Sequence, residues 1–81
     1  VSMTLKESIL DVIKENSGGI KLPDLAIILH ESMCEGQVEE SAGNFLNSFA
    51  RLVEFIRDNI PELEILTYTD KDRKRMFIYT P

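Results

Sequence analysis

Leu63-Glu64-Ile65-Leu66-Thr67-Tyr68-Thr69, Asp70-Lys71-Asp72-Arg73-Lys74-Arg75 and Met76-Phe77-Ile78-Tyr79-Thr80 follow one another at the end of the chain. The two outer runs are rich in β-branched and aromatic side chains, which suit a pleated surface, and the six residues between them are polar. Two strands joined by a charged tip, a β-hairpin, are expected. Both faces of the first run carry apolar residues, so period alone does not say whether Tyr68 or Tyr79 meets solvent.

Upstream of the hairpin the pattern is helical. Thr4-Leu5-Lys6-Glu7 has the form of a capping box, in which a hydroxyl and a carboxylate satisfy the orphan amides of a helix start. Leu5, Ile9, Val12 and Ile13 follow on one stripe, and Asn16-Ser17-Gly18-Gly19 supplies the glycine expected beyond a helix end. Ile20-Lys21-Leu22 is too short for a central strand but long enough for one or two ladder bonds at a sheet edge. Pro23 suits the first position of a second helix running to about Met33, with Asp24 well placed against its dipole. Leu25, Ala26, Ile28, Leu29 and Met33 form its apolar set, and Ile27 points away from it.

Cys34-Glu35-Gly36-Gln37 reads as a connection, and Val38 to about Asn59 is the longest periodic segment. At about 100° per residue, Val38, Ala42, Phe45, Phe49, Leu52, Val53, Ile56 and Ile60 fall in one sector, which predicts a third helix with one buried face. Pro61 closes it. The fold class expected is α+β: three helices, a short edge strand near residues 20–22 and a C-terminal hairpin, in one domain spanning 1–81. Val1-Ser2-Met3 has the form of two vector-derived residues ahead of a native start, and equally of a longer parent cut at this point, so residues 1 and 2 stay outside the fold argument.

Charge and composition narrow the function classes. Of the 81 residues 43% are hydrophobic and 28% charged, proportions that fold rather than stay disordered. A net charge of −5 argues against wholesale capture of nucleic acid or anionic membrane. The charge is uneven, however. Residues 1–62 carry five bases and eleven acids, whereas residues 63–81 carry four bases and three acids, the cations being Lys71, Arg73, Lys74 and Arg75. Such a tip can hold phosphates, or it can keep an exposed hairpin from pairing edge to edge.

Several chemistries find no support. The lone Cys34 excludes an internal disulfide and any multi-cysteine metal site and fits a reducing compartment. His30 and Cys34, four apart, can share a helix face, but no second ligand pair accompanies them, so a surface histidine is the plainer reading. Gly18-Gly19 lacks the spacing of a phosphate cradle. No paired acid and base or activated nucleophile is present, so neither an enzyme nor a metal or cofactor site is expected. No apolar run is long enough to span a membrane and no secretion signal opens the chain, so an intracellular, cytoplasmic protein is expected.

Helix, short strand, helix, helix, hairpin in about eighty residues resembles the winged helix-turn-helix superfamily. Gly19-Ile20-Lys21-Leu22-Pro23-Asp24-Leu25-Ala26-Ile27-Ile28-Leu29 looks like that family's passage from first strand into second helix. The resemblance implies a small DNA-binding regulator of transcription or replication, with a recognition helix over residues 39–59 and a wing over residues 69–76. On the predicted continuous helix, Asn44, Asn47 and Arg51 lie within about 60° of one another, and these side chains are suited to pairing with adenine and guanine. Glu40, Glu54 and Asp58 share that exposed side and would repel phosphate. Winged helices also serve protein interaction. The second expectation is therefore a protein-binding module or homodimer without DNA binding, using the acidic helical surface, with Ile27 and Phe55, both off their stripes, as interface residues.

Overall fold

The computed structural model describes residues 2–81; Val1, which with Ser2 reads equally as vector-derived or as part of a longer parent, lies outside the described residues. The fold is α+β. Helix α1 spans Leu5–Glu15, strand β1 Ile20–Lys21, α2 Leu22–Cys34, a 3-10 turn Glu40–Ala42, the one-turn α3 Gly43–Leu46, α4 Phe49–Asn59, and strands β2 Glu64–Asp70 and β3 Arg73–Tyr79. The sheet is antiparallel with β3 in the centre, in the order β1-β3-β2.

Helix α1 begins as its sequence dictates. The Thr4 hydroxyl accepts from the Glu7 amide, and the Glu7 carboxylate accepts from the Thr4 amide at 3.0 Å. The Thr4 hydroxyl also donates to that carboxylate at 2.9 Å, and the Thr4 amide first and the hydroxyl second hold the Glu7 carboxyl below its usual range. A residue far along the chain finishes the job: the Glu39 carboxylate accepts from the Leu5 amide at 3.2 Å. Met3 lies beside Val38 as an isolated parallel bridge, its amide donating to the Gln37 carbonyl and its carbonyl accepting from the Glu39 amide, each at 2.9 Å. The N-terminal segment is thereby fastened to the connection that follows α2.

The third helix predicted over residues 38–59 is not continuous. Val38 sits in the bridge, Glu39 is extended (ψ 142°), and Ser48 is fully extended (φ −155°, ψ 132°) between α3 and α4. Weak helix formers cluster at these breaks, namely Gly43, Asn47 and Ser48. The buried stripe nevertheless survives, because each short element presents its own apolar side inward: Val38, Ala42, Leu52, Val53, Ile56 and Ile60 are buried. Phe45 is half-buried and Phe49 exposed, contrary to the expectation of core. In α1 and α2, Leu5, Ile9, Ile13, Leu25 and Leu29 are buried while Ile28, expected inside, lies at the surface.

The hairpin register pairs Ile65 with Ile78 and Tyr68 with Arg75, and its turn is only Lys71-Asp72. Both turn residues have positive φ, 51° and 63°, as a two-residue turn matched to strand twist demands. The charged tip read from the sequence is therefore mostly strand: Arg73, Lys74 and Arg75 belong to β3. Ile20 and Lys21 pair with Ile78 and Phe77, so the short edge strand forms with the two rungs its length allows. Just before it, Gly19 has φ 98°, and a Cβ there would lie 2.4 Å from the Phe77 ring and 2.9 Å from the Ile78 carbonyl oxygen. Glycine is what lets the chain turn into the sheet beneath that ring.

Candidate interaction surfaces

Two surfaces stand out once the sheet's faces are assigned. Directly paired residues share a face and alternate residues return to it. Ile20, Ile65, Met76 and Ile78 face the helices, Ile20 and Ile78 being buried. Lys74 shares that phase but lies beyond the core, toward α4. The other face carries Glu64, Leu66, Tyr68 and Asp70 on β2, Arg73, Arg75, Phe77 and Tyr79 on β3, and Lys21 on β1.

The first surface is a groove on the helix side. Pro23, Ala26, Ile27, His30 and Glu31 of α2 face Leu46 and Phe49 across it. Phe49 also lines the adjoining recess with Leu22, Pro23, Lys74, Arg75 and Met76. Ile27 is 58% exposed and Phe49 54%. Phe49 continues the stripe of Leu52, Val53 and Ile56, but it is the first residue of α4, where the stripe has run past the end of the core. Its exposure follows from the break at Ser48, which sequence periodicity did not reveal. The groove thus has apolar walls, two cations at its β3 end and His30 with Glu31 at the other.

The remaining expected site residues are more scattered. Asn44 lies in α3 and Asn47 ends it, both exposed. The shared face with Arg51 assumed an unbroken helix, and the extended Ser48 removes that premise. Arg51 borders a shallow recess with Phe45, Glu54, Phe55, Asp58 and Asn59, so two acids attend it. It is two residues from Phe49, about 200° around the helix, and so points away from the wing. Within α4 itself Arg51 and Arg57 balance Glu54 and Asp58. Glu39, the first residue of the expected recognition helix, instead caps α1. Phe55, assigned to an interface, is half-buried, its ring 4.8 Å from that of Phe45 and tilted by 50°. Lys71, Arg73 and Lys74 are exposed and Arg75 is half-buried.

His30 Nδ1 and Cys34 Sγ are 3.8 Å apart on the exposed side of α2. Among the described residues no group of three or more His, Cys, Asp or Glu side chains is placed to hold a metal. No described helix is long and apolar enough to cross a membrane. Compared with protein-family models, curated proteins and solved structures, the chain matches none.

Proposed function

We propose that this chain is a winged helix-like interaction module that holds an amphipathic, acidic-ended segment of another protein between α2 and the first turn of α4. The observation that carries the reading is the joint exposure of Ile27 and Phe49, each more than half open to solvent, on one groove that also contains Leu46 and Pro23. Large apolar side chains gathered in one concave strip are what a docking partner desolvates, and aromatic anchors are frequent at such centres. Lys74 and Arg75 at the β3 end give the strip a direction, favouring acid at that end of the ligand. Such a role fits an intracellular protein whose single thiol stays reduced.

Selection from a displayed library of random peptides tests this. The enriched peptides should combine apolar anchors at helical spacing with acid at one end, and binding should fall by about tenfold or more on Phe49→Ser, the loss typical of a central anchor. Enriched peptides without that pattern, or binding indifferent to Phe49→Ser and Ile27→Ser, would refute it.

A second reading, duplex DNA binding by a transcriptional or replication regulator, draws on the four cations of residues 71–75, two of which lie beside the first turn of α4. In that reading Lys71, Arg73, Lys74 and Arg75 contact phosphate and Asn44 and Asn47 are left as the base readers, Arg51 pointing away from the wing. A random duplex titrated at several salt concentrations decides it: replacing all four cations by Ala should abolish binding, with a steep salt dependence before and none after.

A further inference from the structure

We infer that the outer face of the sheet is a stacking platform for an unpaired nucleic-acid strand. The ladder register makes the face. Along β3 it presents Arg73, Arg75, Phe77 and Tyr79 in succession, two cations followed by two aromatic rings. Tyr68 stands opposite Arg75 and Lys21 opposite Phe77, which sets a third ring and a third cation among them. Leu66, 51% exposed, lies beside Phe77. Three acids attend this face: Glu64 and Asp70 at the two ends of the edge strand β2, Asp70 bordering a recess with Lys21, Tyr68 and Arg75, and Asp24 of α2 bordering another with Lys21 and Phe77.

The rings are held for the task. Phe77 and Tyr79 have their centroids 6.3 Å apart with planes inclined by 32°, so they lie side by side along the strand rather than collapsing on one another. Phe77 rests over Gly19, where any side chain would displace it. The three rings are half-buried, each keeping part of its surface open to solvent.

Unpaired bases have what such a face selects. Every base offers a flat π surface to stack on a ring, and the linking phosphates fall to neighbouring arginine and lysine side chains. A duplex keeps its bases stacked on one another and has no use for the rings. The outer face shares Arg75 with the docking groove and both its arginines with the four-cation duplex reading, so the tyrosine rings, which neither of those readings uses, are what separate this proposal from them.

The chain supplies its own reporter. Tyr68 and Tyr79 are its two tyrosines and it has no tryptophan, so intrinsic tyrosine emission comes from this face alone. Titration with unlabelled short oligo(dT) and oligo(rU) strands at low salt should quench that emission saturably, less so as salt rises. Binding of both reports stacking on bases and phosphates. Binding of oligo(rU) alone adds a contact to the 2′-hydroxyl, and the platform stands in either case. Tyr68→Thr should weaken binding by about fivefold or more, the loss expected for one base stacked on one ring, while Tyr68→Phe should retain it. Arg75→Gln touches no ring and should lower the salt slope by about one phosphate contact, which keeps the test open if Tyr68→Thr disturbs the hairpin. Unchanged emission with both oligomers would overturn the proposal. So would equal affinity in the Thr variant, quenching by duplex as strong as by single strand, or a stable dimer that covers this face and is dissociated by Leu66→Asp.

Discussion

Gly18, Gly19 and Gly36 allow one placement to be tested by a graded series, because the structure gives each a different reason to be glycine. Gly18 has no positive φ and nothing within 4 Å of a would-be Cβ; Gly36 has φ 77° with open space; Gly19 has φ 98° and three atoms inside 3 Å. Gly18→Ala should therefore be neutral or slightly stabilising, since alanine narrows the unfolded ensemble. Gly36→Ala should cost about 1–2 kcal/mol, the price of holding an L-residue at positive φ. Gly19→Ala bears the same backbone cost and must also displace its neighbours. The Phe77 ring can swing only by leaving its seat, and the Ile78 carbonyl belongs to the rung that pairs Ile20, so it yields only with the ladder. Overpacking of that kind adds about 1–3 kcal/mol, giving roughly 2–5 kcal/mol in all. A domain of this size has about 4–12 kcal/mol of stability to lose, so the difference is measurable by urea denaturation followed by circular dichroism. If Gly19→Ala costs no more than Gly36→Ala, the Phe77 ring does not lie over Gly19, and the anchoring of the outer face fails with it.

Two further predictions concern the chain's ends. Lys71 and Asp72 occupy positive φ at the hairpin turn, where Asn-Gly is preferred. Lys71→Asn with Asp72→Gly should raise stability by about 0.5–1 kcal/mol in the same denaturation assay, and a loss would contradict the register that makes these two the turn. The Glu7 carboxyl is held low in the folded chain by Thr4 and has its ordinary affinity for protons when unfolded. Its contribution is thus complete above the ordinary carboxylate range and is lost as pH falls through its lowered folded value. Thermal melts of wild type and Glu7→Ala should differ at neutral pH and converge in acid; a gap that widens on acidification would reverse the sign.

Local chemistry made part of this fold readable. Thr4 and Glu7 meet through three residues of chain, and the run from Asn16 to Gly19 stops a helix by its own conformational preferences, so both were visible without tertiary information. The hairpin was visible for the same reason, yet its register was not. Any pair of residues between Asp70 and Arg75 satisfies composition, and only the pairing of Ile65 with Ile78 across a buried face fixes the turn at Lys71-Asp72. The break at Ser48 was masked by the pattern itself. Apolar residues recur at helical spacing from Val38 to Ile60 whether the backbone is one helix or three short pieces, since the core asks the same of each piece. The signal that could have exposed it was the weak helix propensity of Gly43, Asn47 and Ser48. Phe49 was misplaced as a consequence, because a stripe reports direction and not where the core ends.

Strand β3 shows why the charge of this chain resists reading as a total. Its successive residues are divided by the pleat. Arg73 and Arg75 go to the outer face with Phe77 and Tyr79, Lys74 goes to the helix side beside Phe49, and Met76 and Ile78 are drawn inward. A cluster of cations that is one patch in sequence is thus divided by the pleat, although Lys74 and Arg75 still border one recess with Phe49. The acids are divided by structure as well: Glu7 and Glu39 are engaged in starting α1, and Glu64 and Asp70 sit at the ends of β2. Net charge sets how the whole molecule meets a distant field, whereas contact depends on charges within about a Debye length of the ligand. An overall −5 and two locally cationic surfaces therefore coexist without conflict. Because each surface depends on the pleat, a one-residue slip of β3 would carry Lys74 outward and the arginines inward, exchanging their cations together.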